Sequence, residues 1–172
     1  FWSVVLVGII GVFVFFWLIS AGKLGFMPTF EELENPNNRF ASEVYFADGP
    51  IMNRYFEKEN RKYIEYREIP QSVIDALIAT EDVRFYDHSG VDVRGLFRVA
   101  KGLLTANTSA GGGSTISQQL AKMLFPRESD LNVFELAIRK FREWVIAVRL
   151  EKSYTKEEIL TMYLNKYDFL NL

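Results

Sequence analysis

The chain has 172 residues, 49% of them hydrophobic, 15% aromatic and 24% charged, with a net charge of −2 and no cysteine. The aromatic content excludes a disordered chain, and the missing cysteine excludes a disulfide scaffold and any thiolate metal site. The small net charge gives no support for a nucleic-acid partner.

The near-zero mean hydropathy averages two unlike parts, because residues 1–22 carry no Asp, Glu, Lys or Arg. Phe1 to Ser20 reads as one apolar helix, and twenty helical residues span roughly 30 Å, the thickness of a bilayer core. Trp2 and Trp17 lie near its ends, where an aromatic belt would place them. A cleaved signal peptide is the rival reading, but its apolar region would be about 7–15 residues long. Ser20-Ala21-Gly22 is a weak cleavage match. A retained anchor over 1–22 is therefore expected. Glu31, Glu32 and Glu34 follow it and favour a non-cytoplasmic location for the rest.

Residues 23–40, with Pro28 and Pro36, read as a linker. Residues 41–69 read as a short β region: Glu43 to Phe46 and Ile51 to Phe56 around an Asp48-Gly49 turn, then a third strand from Lys62 to Ile69. From Pro70 the period becomes helical. Val73, Ile74, Leu77 and Ile78 mark one helix; Leu96, Val99, Ala100, Leu103 and Leu104 mark the next. Arg94, Arg98 and Lys101 form a basic stripe on the latter, suited to anionic headgroups or simply to water. Thr115 and Gln118 fit a capping box opening a helix to about Phe125. A long helix from about Leu131 to Lys152 is expected to bury Phe134, Ile138, Phe141, Val145 and Val148. Thr155 and Glu158 cap a last helix carrying Ile159, Leu160, Tyr163 and Leu164.

Four groups of residues could carry chemistry. Glu81 and Asp82 are adjacent carboxylates at a helix C-terminus, the end that favours cations; a solvated helix end is the bland alternative. His88 is the single histidine and reads as structural, since no metal-binding or G-x-S-x-G pattern accompanies it. Gly111 to Gly113 lead into a helix start, which presents free N–H groups to an anion. The spacing is not that of a nucleotide P-loop, and glycines alone would suit a surface loop. Gln118 and Lys122, one turn apart, could hold a sugar and a phosphate there. Arg139, Lys140 and Glu143 on the long helix could equally be surface ion pairs.

Together these segments resemble the peptidoglycan glycosyltransferases, glycosyltransferase family 51, found in class A penicillin-binding proteins and monofunctional transglycosylases. Residues 81–90, EDVRFYDHSG, resemble the family's first motif. Residues 113–119, GSTISQQ, are similar to the second, with Ser117 in place of the usual Thr. Residues 139–143, RKFRE, resemble the third, and 156–165, KEEILTMYLN, the fourth. The resemblance implies a mainly helical, lysozyme-like catalytic lobe with a short β region, behind one transmembrane helix. It also implies that the lobe continues past the fourth motif, so residues 70–172 are expected to be a truncated core.

The implied reaction polymerises lipid II into glycan strands, inverting the anomeric centre as undecaprenyl pyrophosphate leaves. By position, Glu81 matches the general base and Glu143 the second essential carboxylate, which would orient phosphate-binding groups or hold a divalent cation such as magnesium. Ser114, Thr115, Gln118, Gln119, Lys122, Arg139 and Lys140 match substrate-binding positions. Asp82, Phe85, His88, Gly90, Tyr163 and Asn165 match positions that shape the site. No organic cofactor is implied. Partners would be the bilayer of a bacterial inner membrane, lipid II, the growing strand and cell-wall synthesis proteins, with the domain on the outer face. The chain departs from the family at Glu135, where some relatives carry Arg; Arg127 is a candidate substitute. A lysozyme-like lytic glycosidase would need no cationic cradle for a leaving pyrophosphate, and a non-catalytic scaffold would have no use for Glu81 and Glu143.

Overall fold

The computed structural model describes residues 2–29, 32, 42–49, 51–55, 62–105, 112–125 and 132–167. Arg127, most of the 23–40 stretch and the residues after Tyr167 lie outside the described residues. Among those described, the molecule is mostly helical with one small hairpin.

Helix α1 spans Trp2–Ser20. It is long and apolar enough to cross a membrane, and only Ile19, near its end, is buried. Strands β1 (Ser42–Tyr45) and β2 (Ile51–Tyr55) pair antiparallel, Ser42 opposite Tyr55, with a register shift between Val44 and Tyr45. Gly49 closes the turn with a φ of 105°.

The third strand expected from Lys62 to Ile69 is not there: residues 62–65 pair with no strand, and Tyr66–Glu68 make a 3-10 turn. The cause is a distant side chain. The Asn165 amide accepts from the Ile64 N–H and donates to the Ile64 carbonyl, both at 2.9 Å. It occupies the backbone groups that a neighbouring strand would have used.

Helix α2 (Gln71–Glu81) starts directly after Pro70, whose fixed φ suits a helix entrance. Helix α3 is Val93–Leu104, α4 is Ile116–Leu124, α5 is Val133–Ser153 and α6 is Lys156–Lys166. The Thr155/Glu158 capping box forms as read. Thr115 caps α4 by accepting from the Gln118 N–H, but Gln118 does not reach back, because its amide donates to the Gly90 carbonyl instead. Helix α5 opens on a capping box of its own, Asn132 with Glu135. That gives Glu135 a local task.

The core lies where α4, α5 and α6 pack together, around Ile116, Leu120, Ile146, Leu150, Ile159, Leu160 and Tyr163, with Ile74 and Phe85 against them. The buried face of α5 differs from the expected one. Arg142, Glu143, Ile146, Ala147 and Leu150 are buried, whereas Phe134 is exposed and Ile138, Phe141, Val145 and Val148 are half-buried. The Phe141 ring meets the edges of Phe15 and Phe16, so this stripe turns towards α1. An apolar face can pack on a second helix as readily as on the core.

Candidate active site

The first motif divides its two carboxylates. Glu81 is the last residue of α2 and is exposed on a cleft. Asp82 caps the helix and turns inwards, where it is buried. Its carboxylate accepts from the Ile116 N–H at 3.2 Å, at the positive end of α4, and from His88 Nε2 at 2.9 Å. His88 Nδ1 accepts from the Gly90 N–H at 3.2 Å. That bond assigns the imidazole proton to Nε2, so a neutral His88 can donate to Asp82. The adjacent acids are tolerated because one is paired inside and the other faces solvent.

The second motif supplies the opposite wall. Thr115 Oγ1 donates to the Gly90 carbonyl at 2.7 Å, and Gln118 Nε2 reaches the same oxygen at 3.3 Å. Both side chains are buried and spend their donors on the fold. Gln119 points the other way: its amide donates to Glu81 at 2.5 Å, while its oxygen accepts from the Tyr163 hydroxyl at 2.9 Å. Burial pushes the Tyr163 pKa well above the ordinary range, and the Glu81 charge adds to it. Tyr163 therefore remains a donor and fixes which end of the Gln119 amide faces Glu81.

The third motif adds cations. Lys140 Nζ donates to Ser114 Oγ and to Glu143 Oε2, each at 2.9 Å. It ties the glycine-rich loop to α5. Arg139 is half-buried and Lys122 exposed, and neither makes a hydrogen bond or ion pair with another described residue. Among the described residues no group of three His, Asp or Glu could hold a metal ion. Glu143 offers one carboxylate, already taken on one oxygen by Lys140. This donor set is too small for a protein-only divalent cation site.

Behind the cleft lies a half-buried ionic junction. Lys156 Nζ contacts both Glu151 oxygens, at 2.8 and 2.7 Å, and donates to the His88 carbonyl at 2.7 Å. It also sits 4.2 Å over the Phe85 ring. Ser117 Oγ donates to the same Glu151. The junction ties the first motif at Phe85 and His88, the second at Ser117 and the fourth at Lys156 to Glu151 on α5, and Ser117 takes part through its hydroxyl.

The cleft, about 440 Å³, is lined by Glu81, Arg84, Asp92, Arg98, Ser114 and Gln119, among others. The sequence reading brought Glu81, Gln119 and Ser114 to this wall, and Lys140 joins it through Ser114. Arg84, Asp92, Arg98 and Glu151 were not singled out as site residues. Arg84 and Asp92 pair at 2.5 Å. Burial pushes Asp92 up, but the Arg84 hydrogen bond, the Gly95 N–H and the nearby positive charge outweigh it and hold the carboxyl below its ordinary value. The pair lies eight positions apart along mostly irregular chain, so no helical or strand spacing announces it.

Residues 48–171 match the family described as Transglycosylase. The chain is 39% identical over 140 residues to penicillin-binding protein 1A of Escherichia coli K12, covering 81% of this chain and 16% of that protein. It is 39% identical over 149 residues to penicillin-binding protein 1A of Haemophilus influenzae, covering 87% of this chain and 16% of the relative. The Vibrio cholerae protein of the same name is 33% identical over 162 residues, covering 94% of this chain and 18% of its own length. The chain thus spans about a sixth of the length of these relatives.

Proposed function

This chain belongs to the transglycosylase family, and from that premise we propose that it is the glycosyl-transferring part of a membrane-anchored peptidoglycan polymerase with a lysozyme-like lobe. Its substrates are lipid II and the growing glycan strand. One observation carries the reading: Glu81 and Ser114 line one cleft, and Ser114 is held by the cation Lys140.

Glu81 accepts the proton of the acceptor 4-hydroxyl as that oxygen attacks the donor's anomeric carbon. The anomeric bond to the pyrophosphate breaks from the opposite side, and the configuration inverts. Negative charge grows on the departing pyrophosphate, where Lys140, Arg139 and Lys122 supply positive charge. General bases work best with a pKa near the working pH, which burial would favour. Glu81 is exposed on the cleft, where a bound acceptor would cover it.

Helix α1, long and apolar enough to cross a membrane, supports a location at a bacterial inner membrane, and the acidic stretch at Glu31, Glu32 and Glu34 favours the outer face. Glu143 is the residue that would hold a divalent cation brought in with the donor, and the ion would supply further positive charge to the leaving group. Incubating the full-length protein with lipid II tests the reading. High-molecular-mass polymer on a gel is expected; shortening of finished strands would make the protein a lytic glycosidase.

A further inference from the structure

The apolar helix is bolted to the helix that carries the third motif. Arg149 on α5 donates through Nη2 to both the carbonyl and the hydroxyl of Ser20, the last residue of α1, at 2.8 Å each. Its Nη1 donates to the Pro28 carbonyl at 3.0 Å. One guanidinium thus holds both ends of the segment leaving α1, with its positive charge at the negative end of that helix. Two turns earlier on α5, Arg142 packs against Gly25: a Cβ there would lie 2.4 Å from Arg142 Nη1, and Gly25 has a φ of +116°. The segment is pinned on its other side as well. The Phe26 and Phe125 rings lie 6.4 Å apart, Met27 packs on the core, and Pro28 is buried. Ile19 is fully buried, and Phe15 and Phe16 meet Phe141 edge-on.

We propose that Arg149 is a positioning residue that locks the exit of the membrane anchor onto α5, so that the anchor and the anion-binding turn at Arg139 and Lys140 move as one body. The proposal rests on the transferase reading given above. Arg149 lies nine residues beyond Lys140 on the same helix, roughly 13 Å along its axis. Both substrates of that reaction are carried by lipids, so they reach the protein at a fixed height above the bilayer. A swinging domain would meet them at many heights and tilts. A clamped one holds the cleft at one of them, and misplacement by about an ångström can cost roughly a hundredfold in rate.

The test uses the full-length protein in liposomes, with spin labels at Val4→Cys on α1 and Lys152→Cys at the end of α5. The unaltered clamp should give one narrow label-to-label distance distribution. Arg149→Met, which keeps the stem and removes the donors, should broaden it, and Gly25→Ala should do the same from the opposite side. Arg149→Lys should restore part of the order. In liposomes, Arg149→Met should raise the KM for lipid II by roughly tenfold. In detergent micelles, where no bilayer sets the height, it should polymerise within about twofold of the parent, with a melting temperature lowered by only a few degrees for the three lost hydrogen bonds. An unchanged distance distribution in Arg149→Met, or equal losses in liposomes and micelles, would overturn the clamp. If the parent makes polymer in neither medium, the transferase reading fails, and the distance measurement still decides whether the anchor is held.

Discussion

Gln119 donates a hydrogen bond to Glu81 at 2.5 Å across 38 positions of chain. It joins the end of α2 to α4 and holds the carboxylate at the cleft. Tyr163, on α6, donates to the same amide from behind. The candidate base is therefore positioned by a relay of two side chains from two other helices.

Removing the back of this relay should loosen the base without removing it. Tyr163→Phe leaves the Gln119 oxygen without its donor, at a cost of about 1 kcal/mol in stability. Polymerisation should fall by roughly tenfold through kcat, with KM little changed. Steady-state kinetics on lipid II would check this, and an equal change in both constants would point to a general loosening of the site.

The same hydroxyl predicts an alkaline weakness. Its pKa is raised in the folded chain, mainly by burial and then by the Glu81 charge. Above the ordinary tyrosine value of about 10, the folded chain keeps a proton that the unfolded chain has lost. Tyr163 thus contributes stability that is complete below that value and is lost as pH rises through the native one. Urea melts from pH 9 to 11 should fall more steeply for the parent than for Tyr163→Phe; parallel slopes would contradict the assignment.

Some of this was legible in the sequence because the signals are local. The starts of α4 and α6 follow from Thr115 and the Thr155/Glu158 box, and the helix at Pro70 from its apolar period. What escaped depends on distant partners. Nothing near Ile64 announces that Asn165 takes its backbone groups. The apolar stripe on α5 reads as core, yet Phe141 faces α1. For Gln119, Lys140 and Ser114 the resemblance gave roles, while the geometry added the partners. Gln118 and Thr115 were read as substrate contacts, and their donors go to Gly90. Glu151 had no signal of its own, since Ser117 and Lys156 come from segments far apart or beyond a helix end.

The ionic junction should behave as a unit. Lys156→Met leaves the covered Glu151 carboxylate uncompensated, and because Lys156 itself is half-buried the cost should be about 2 kcal/mol. Glu151→Gln in the same chain should cost far less than the sum of the single effects. Additive losses in a double-mutant cycle of thermal melts would show that Lys156 and Glu151 act separately.

Gly90 should tolerate no side chain. Its φ is +93°, and a Cβ would lie 2.8 Å from the backbone of Ala147 and Val148 on α5. Backbone cannot yield as a flexible side chain can. Gly90→Ala should cost about 3 kcal/mol, from the left-handed conformation and the overpacking together. A melting temperature within a degree of the parent's would refute the close approach.

The central claim is that Glu81 is the base of a glycan polymerase, and Glu81→Gln tests it most directly. The amide keeps the size of the side chain but cannot take the proton. The full-length variant should fold and melt like the parent, yet lose at least about a hundredfold in polymerisation of lipid II on a gel assay. Polymer formed at near the parent rate by the folded variant would contradict the account.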